Sequence, residues 1–309
     1  MSFSRSDLEQ TRQTNLLAVL AALLAIIFWS GTAIANKIAV LHVDGLSAGL
    51  IRSVTAGAIA VVIAICFRVS FPTSRRAQLL LAISGLMSFA VWPVLLSLGI
   101  ARTSASHAAL IMAIIPLLTV LISALVERQM PSTRWLVGAV VAFGATALLI
   151  PTQIDVAAND ASWVGDLLIF FGTLACAVGY VSGGKVTSNS GAVTTTIWGL
   201  VLAAVFLTPL FVLHVDFTTL VELPASWWAS MAWMALFSSL FGYALWFFAL
   251  AKSSVAKIAT LQFTMPVVTL VAAFLVLGEP MSFAMIALGV LIVGGTYFAQ
   301  EHSTAKQNS

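Results

Sequence analysis

The feature that most constrains this chain is a series of apolar segments, each near the length of a membrane-crossing helix. They occupy residues 16–41, 46–67, 78–100, 103–126, 134–150, 162–184, 191–213, 227–250, 254–277 and 282–299. A transmembrane helix needs about 20 mainly apolar residues, whereas the strands of a membrane barrel alternate in segments of about ten. We therefore predict an all-α membrane protein with ten transmembrane helices.

The composition indicates that lipid is the solvent of most of the chain. Of the 309 residues, 61% are apolar and 8% are charged, and the mean hydropathy is +1.06. A soluble domain carries about 25% charged residues, so a soluble enzyme, a disordered chain and a nucleic-acid-binding domain are disfavoured. Cys66 and Cys176 both lie in apolar runs, and we expect no disulfide framework, no metal site and no cofactor.

The distribution of Lys and Arg predicts the orientation in the membrane. If the N-terminus is cytoplasmic, eleven of these residues fall on the inner side, and only Lys37 and Arg102 fall on the outer side. Cytoplasmic loops are enriched in Lys and Arg, so both termini are expected in the cytoplasm. The polar N-terminal segment lacks a signal-peptide cleavage pattern, so the first span is expected to be retained.

The chain repeats itself at a shift of about 150 residues. At a shift of 150, identical residues coincide in the pairs Pro116/Pro266, Thr119/Thr269 and Gly144/Gly294. At a shift of 148, they coincide in the pairs Gly31/Gly179 and Lys37/Lys185. Each half holds five spans, an odd number, so the halves are inverted in the membrane, as in many secondary transporters. The expected parts are a cytoplasmic tail (1–15), a first repeat (16–150), an external loop (151–161), a second repeat (162–300) and a cytoplasmic tail (301–309).

In each half, a proline-bearing fourth span precedes a Glu-containing corner and a Gly-rich fifth span. The pattern reads Ile115-Pro116-Leu117, Glu127 and Gly138 to Gly144 in the first half, and Met265-Pro266-Val267, Gly278-Glu279-Pro280 and Gly289 to Gly295 in the second. Duplicated in this way, the pattern resembles the EamA-type branch of the drug/metabolite transporter superfamily. Arg52 matches an arginine that this family carries in its second span. Within the branch, the chain looks most like bacterial exporters of aromatic amino acids.

The resemblance implies a ten-helix basket in which spans 1–4 and 6–9 surround a central cavity and spans 5 and 10 lie at the periphery. It also implies a multi-pass protein of the bacterial inner membrane. Its partners would be membrane lipid and a small-molecule substrate, without nucleic acid, and we expect a monomer. The second half has no counterpart of Arg52, because the seventh span has Trp198 in that neighbourhood. This departure weakens the interpretation of Arg52 as a substrate ligand and favours a structural role.

Polar and large aromatic side chains within the spans are the candidates for substrate binding, because polar groups in lipid are costly and usually face a cavity or pair with one another. These candidates are Trp29, Asn36, Ser88, Trp92, His107, Tyr180, Tyr243, Trp246 and Gln262. The alternative is that the hydroxyl groups bond to their own helices, that the tryptophans fill packing space and that His107 is only hydrogen-bonded. Pro116 and Pro266 each free a backbone carbonyl and are candidates for a helix kink or a gate.

The scarcity of charged residues within the spans disfavours some classes of transporter. No Asp or Glu lies in the middle of a predicted span, which disfavours proton coupling through a buried carboxylate. Only Lys37, Arg52 and Lys185 are candidate cavity cations, so an organic-phosphate antiporter is a disfavoured alternative. An apolar, aromatic-rich cavity fits a neutral or zwitterionic metabolite. We expect export of aromatic or other neutral amino acids, with another small amphipathic metabolite or drug as the alternative.

A distant alternative is an intramembrane serine hydrolase. Residues 45–49 match the G-x-S-x-G nucleophile motif, and His42 and His107 are present. That motif requires a strained turn that presents the serine to a base. Here it opens a predicted helix, where Ser47 fits a helix start. We therefore expect no catalytic residues and no enzymatic activity.

Overall fold

The computed structural model describes residues 5–103, 108, 111–149, 163–272 and 282–300. Every regular element in this part of the chain is helical, which confirms the predicted all-α class for these residues. Six helices are long and apolar enough to cross a membrane: Gln13–Val40, Gly45–Cys66, Arg75–Ile100, Trp163–Ser190, Ala192–His214 and Ala225–Lys252. The shorter apolar helices are Ile115–Glu127, Thr133–Leu149, Val255–Thr269 and Phe283–Ala299. Helices suit lipid because each one satisfies its own backbone polar groups.

We number these helical stretches α1 to α10 in chain order. α1 comprises Arg5–Ser30 and Thr32–Val40, α2 is Gly45–Cys66, α3 is Arg75–Ile100, α4 is Ile115–Glu127, α5 is Thr133–Leu149, α6 is Trp163–Ser190, α7 is Ala192–His214, α8 is Ala225–Lys252, α9 is 255–272 and α10 is Phe283–Gln300. A short helix, Phe217–Leu220, lies between α7 and α8. It was not predicted, and neither was the early start of α1, which makes much of the expected N-terminal tail helical.

Several helices depart from regular α-helical hydrogen bonding within their length. α1 is interrupted at Gly31. α3 contains a π-helical segment, Leu86–Val91, and α8 contains another, Trp233–Phe241. When the repeat offset of 148 residues is added to its residue numbers, the first π-helical segment falls within the second. The two halves therefore share this irregularity. Such segments leave backbone carbonyls outside the usual bonding ladder and often occur at functional sites.

The packing of the helices follows the repeat. α2 packs against α7, and α5 packs against α10, so the second helices pair with each other and the fifth helices do likewise. The contact of α3 with α6 corresponds to the contact of α8 with α1. In the same way, the contact of α4 with α6 corresponds to the contact of α9 with α1. Each of these contacts therefore has a repeat-related counterpart. The described residues form two related halves that are extensively interleaved.

Glycine allows the closest of these approaches. A Cβ atom placed on Gly57 of α2 would lie 2.1 Å from the Ala204 Cβ of α7 and 2.7 Å from the Leu200 carbonyl oxygen. A Cβ atom on Gly138 of α5 would lie 2.6 Å from the Gly295 carbonyl oxygen of α10. Small residues are typical of helix interfaces in membranes, where packing rather than the hydrophobic effect holds helices together.

The outer surface is largely apolar. Large exposed side chains occur along nearly every helix, among them Leu20, Val62, Leu148, Phe206 and Val290. A soluble protein rarely exposes apolar patches of this extent, whereas lipid requires them. Together with the helix lengths, this surface identifies a multi-pass membrane protein.

Candidate functional site

Four aromatic side chains meet in the interior where the two halves face each other. Trp29 comes from α1, Tyr180 from α6, and Tyr243 and Trp246 from α8, and none is more than 6% exposed. The Trp29 ring stacks on Tyr180, with 5.8 Å between centroids and 9° between planes. Its centroid lies 5.3 Å from that of Tyr243 and 5.2 Å from that of Trp246. We call these four residues the aromatic cluster.

The helix irregularities give the aromatic cluster its shape. Trp29 lies just before the interruption of α1 at Gly31, and its indole fits against Gly242, the residue that follows the π-helical segment of α8. A Cβ atom on Gly242 would come within 2.8 Å of Trp29 Nε1. Gly183 of α6 leaves similar room for the Phe247 ring, since a Cβ atom there would lie 2.3 Å from Phe247 Cε1.

Two hydrogen bonds tie the aromatic cluster to the π-helical segments. Trp29 Nε1 donates to the Ser238 carbonyl oxygen at 2.9 Å, and the Tyr243 hydroxyl donates to the Ser88 carbonyl oxygen at 3.2 Å. Each bond joins a side chain of one half to a backbone carbonyl of the other half. Gln262 Nε2 adds a longer bond, 3.5 Å, to the Tyr180 hydroxyl.

The structure brings together six of the nine predicted binding residues. Besides the four rings, Ser88 and Gln262 reach the aromatic cluster through the bonds just described. Asn36 is buried and its Oδ1 accepts from Ser97 Oγ of α3 at 3.1 Å, and no described hydrogen bond joins it to the aromatic cluster. Trp92 is buried against Gly172 of α6, where a Cβ atom would lie 3.0 Å from its Cε3, and it has no ring contact within the described residues.

Two further expectations concern residues of the fourth and ninth spans. His107 lies outside the described residues. Pro116 is the second residue of α4, and Pro266 is the second residue of the α-helical segment Met265–Ala272 in α9. Both prolines therefore begin a helical segment, where the absent N–H group is not needed. Repeat-related threonines follow them, since Thr119 and Thr269 donate to carbonyl oxygens four residues back at 2.8 and 3.1 Å.

Three other residues lie at this site; sequence reasoning missed Phe89 and Cys176, and it named Arg52 only as a candidate cavity cation. Phe89 makes a close ring contact with Tyr243, at 4.4 Å between centroids. Cys176 Sγ lies 3.9 Å from the Tyr243 hydroxyl. Arg52 is 2% exposed, and its guanidinium binds Ser238 and Ser239 of the α8 π-helical segment. The signal for Arg52 was present in the sequence, because a charged residue in the middle of a span is costly without a specific reason.

The remaining tryptophans have other surroundings. Trp135 and Trp227 are buried, 4% and 0% exposed, and Trp135 Nε1 donates to Thr260 Oγ1 at 2.9 Å. Trp163 and Trp228, also near helix ends, are exposed. Trp198 Nε1 donates to the Val69 carbonyl oxygen at 3.1 Å and so holds the loop between α2 and α3.

The G-x-S-x-G residues form a helix start. Asp44 Oδ1 accepts from the backbone N–H groups of Leu46 and Ser47 at 2.9 and 3.0 Å, and Ser47 Oγ donates to Asp44 Oδ2 at 2.5 Å. His214 Nε2 lies 3.3 Å from the same carboxylate. In a Ser-His-Asp triad the serine hydroxyl donates to an imidazole, whereas the Ser47 hydroxyl donates directly to the Asp44 carboxylate. Burial acts to raise the pKa of Asp44, but hydrogen bonds from Ser47 and His214 hold that pKa below its ordinary value.

The described residues contain no group of three or more His, Cys, Asp or Glu side chains that could hold a metal ion. Cys176 is buried and Cys66 is exposed, and both are free thiols. The polar chemistry near the rings consists of hydroxyl, amide, indole, thiol and guanidinium groups. Such a set can orient a polar ligand through hydrogen bonds.

Comparison with known proteins agrees with this architecture. Residues 16–150 and 163–299 each match the EamA-like transporter family. The uncharacterized transporter YdeK of Bacillus subtilis is 26% identical over 275 residues, which are 87% of this chain and 92% of that protein. The probable terminal-alkyne amino-acid exporter of Streptantibioticus cattleyicolor is 26% identical over 280 residues, 88% of this chain and 91% of that protein.

A solved crystal structure of a protein with 18% sequence identity has the same fold, with a TM-score of 0.73 over 94% of this chain and 98% of that chain. The family match covers most of the sequence and falls separately on the two halves. The duplication read from the sequence is therefore confirmed, and the chain belongs to the EamA-like transporter family of the drug/metabolite transporter superfamily.

Proposed function

We propose that this protein is a secondary transporter that exports neutral, chiefly aromatic, amino acids or related metabolites by alternating access. The aromatic cluster carries the proposal. Four buried rings from both halves contact one another, so a substrate ring can take the place of one partner when the halves move apart. Each aromatic contact contributes about 0.5–1.5 kcal/mol beyond area burial. The relative from Streptantibioticus cattleyicolor, named as a probable terminal-alkyne amino-acid exporter, supports an amino-acid substrate.

Transport assays on purified protein in liposomes test the substrate class. Counterflow of labelled phenylalanine should exceed counterflow of labelled alanine, and Trp246→Ala should reduce the first more than the second. Trp228→Ala is the matched control, because Trp228 lies on the same helix but is 49% exposed. Equal losses for both amino acids would indicate a packing role for Trp246. Movement of sugar phosphates without movement of aromatic amino acids would refute the proposal and favour the organic-phosphate alternative.

In the proposed topology, all ten helices cross the bacterial inner membrane and both termini are cytoplasmic. Two contacts near helix ends fit the relative arrangement, because each joins residues that this topology assigns to one side. Asp44 contacts His214 on the proposed outer side, and Trp198 contacts Val69 on the proposed inner side. Glu222 and Thr73 are exposed residues outside the long helices, and the proposed topology assigns them to opposite sides.

Cysteine labelling of intact cells tests the topology. In a Cys66→Ser background, a membrane-impermeant reagent should label Glu222→Cys and should leave Thr73→Cys unlabelled until the cells are permeabilised. The exposed native thiol has to be removed, whereas Cys176 is buried. The reverse labelling pattern would invert the orientation and contradict the assignment from Lys and Arg counts.

The proposed transport is facilitative. Among the described residues, the buried polar and charged side chains include no Asp or Glu, and a buried carboxylate is the group that proton-driven antiporters commonly use. A pH gradient alone should therefore not drive accumulation of phenylalanine into liposomes. Accumulation that persists in His107→Ala would show that a proton site exists elsewhere in the chain.

Pro116 and Pro266 are proposed to mark the bending points of alternating access. Each is the second residue of a helical segment at a repeat-related position, where proline is tolerated and prevents a continuous α-helix with the preceding turn. Pro266→Ala adds an N–H group at this break, which should stiffen α9 and slow exchange of phenylalanine. Unchanged exchange rates would indicate a static helix break.

A further inference from the structure

Arg52 is a buried cation without a described counter-ion. Its side chain is 2% exposed, and its nitrogen atoms have no carboxylate within 4.0 Å among the described residues. Nε donates to Ser239 Oγ at 3.3 Å and Nη2 donates to Ser238 Oγ at 3.0 Å, but Nη1 has no hydrogen-bond partner. A guanidinium stays charged in a protein, and a buried charge with an unmet donor is strongly unfavourable.

The guanidinium is adjacent to the aromatic cluster. Ser238 connects the two, because its hydroxyl accepts from Arg52 and its carbonyl oxygen accepts from the indole of Trp29. Thr32 Oγ1, on the far side of the interruption in α1, also bonds to Ser238 Oγ at 3.0 Å. One residue therefore separates the unmet cation from the stacked rings of Trp29 and Tyr180.

Other unmet polar atoms surround the same rings. Trp246 Nε1, Ser88 Oγ and Gln262 Oε1 are buried without a hydrogen-bond partner. Trp246 belongs to the aromatic cluster, and Ser88 and Gln262 each bond to one of its tyrosines through another atom. Buried polar groups are nearly always hydrogen-bonded in folded proteins, so several unmet atoms at one place indicate a ligand that supplies their partners.

Three of these unmet atoms can act only as a donor or only as an acceptor, which indicates the ligand groups that fit them. Arg52 Nη1 and Trp246 Nε1 can only donate hydrogen bonds, and Gln262 Oε1 can only accept them. A carboxylate accepts from the first two groups, and an ammonium group donates to the third. A single guanidinium matches one carboxylate in charge, whereas a phosphate carries more negative charge and usually recruits several cations.

We propose that Arg52 Nη1 binds the carboxylate of the transported molecule, so that this protein selects aromatic amino acids over the corresponding amines. The proposal rests on the transport function proposed above and adds the group that fixes the polar end of the substrate. Gln262 Oε1 accepts from the substrate ammonium group. The aromatic side chain then lies among the rings of the aromatic cluster.

Binding to the wild-type protein tests the proposal without any substitution. Calorimetric titration of the detergent-purified protein compares phenylalanine, phenethylamine, 3-phenylpropionate and phenyl phosphate. Loss of a hydrogen bond to a charged group weakens binding by about tenfold to a hundredfold, so phenethylamine should bind at least about tenfold more weakly than phenylalanine. 3-Phenylpropionate keeps the carboxylate and should bind better than phenethylamine.

Substitution of Arg52 adds a readout that a structural role would not give. Arg52→Gln should lower the affinity for phenylalanine by about tenfold or more and leave the affinity for phenethylamine within about twofold, and Arg52→Lys should restore part of the difference. Arg102→Gln is the matched control, because Arg102 is exposed, lies just after α3 and bonds to the Leu98 carbonyl oxygen four residues back. If Arg52→Gln does not fold, the ligand series on the wild-type protein decides alone.

The outcomes separate the two proposals. Equal affinities of the wild-type protein for phenylalanine and phenethylamine would overturn the role of Arg52 and leave the transport of aromatic compounds intact. Preference for phenyl phosphate over 3-phenylpropionate would show that the anion bound by Arg52 is a phosphate and not a carboxylate. Absence of binding and of transport for every compound in the series would overturn both proposals.

Discussion

The contact between α5 and α10 allows a quantitative test of the packing. A Cβ atom on Gly138 would lie 2.6 Å from both the Ala299 backbone nitrogen and the Gly295 carbonyl oxygen, and 2.8 Å from the Ala299 Cβ. Ordinary contacts begin near 3.4 Å, so Gly138→Ala would force the helices about 0.8 Å apart at this point. Backbone atoms cannot rotate away, and overpacking of this kind costs about 1–3 kcal/mol.

Gly144 provides the matched control. It lies on the same helix, and a Cβ atom there would have no heavy atom within 4 Å. Replacing glycine by alanine within a helix contributes about 0.5–1 kcal/mol of stability in both variants. The difference between Gly138→Ala and Gly144→Ala therefore isolates the overpacking, and we expect it to be about 1–3 kcal/mol.

Thermal unfolding of the two variants in one detergent, followed by intrinsic tryptophan fluorescence, measures this difference. Gly138→Ala should unfold at a lower temperature than the wild-type protein, and Gly144→Ala at the same temperature or a higher one. Ala299→Gly should rescue Gly138→Ala only in part, because the contact with the Ala299 backbone nitrogen remains. Equal unfolding temperatures for the two alanine variants would refute the close approach of α5 and α10.

Two more predictions follow from the loops and the aromatic cluster. Asp44→Ala should destabilise the protein by about 1 kcal/mol at neutral pH through loss of the α2 cap. Because the pKa of Asp44 is lowered, this difference should shrink as the pH falls from the ordinary value of 3.8 through the lower pKa of the folded state, which pH-dependent unfolding measures. Trp29→Phe and Tyr243→Phe should each speed thiol-reagent labelling of buried Cys176 in a Cys66→Ser background, because each removes a bond between the halves. Unchanged labelling rates would contradict that role.

The helical fold and its duplication were predictable because both follow from local patterns. Apolar runs of about 20 residues indicate spanning helices wherever the rest of the chain lies. The register of Pro116 with Pro266 and of Thr119 with Thr269 revealed the repeat, and the structure gives each pair the same local geometry. Residue type alone also identified Trp29 as a candidate, since the N–H group of a tryptophan far from a span end needs a hydrogen-bond acceptor.

The features that the sequence did not predict depend on contacts between distant parts of the chain. The π-helical segments have no distinctive sequence, because the extra residue in a turn is stabilised by neighbouring helices. Trp92 and Trp246 look equivalent in the sequence, yet only Trp246 joins the aromatic cluster. The surroundings of Arg52 involve Ser238, 186 positions away, and no local pattern predicts a partner at that distance.

The repeat places Ser88 and Ser238 at equivalent positions, 150 residues apart, and the structure uses their backbones alike. Each carbonyl oxygen accepts a hydrogen bond from an aromatic side chain of the opposite half. Their hydroxyl groups differ, because Ser238 Oγ accepts from Arg52, whereas Ser88 Oγ has no partner. The backbone contacts of the two halves are thus alike, whereas among the described residues the charge lies on one side of the rings. Under the proposed function, this asymmetry would orient a substrate held between the halves, with its carboxylate toward α2 and its apolar part among the rings.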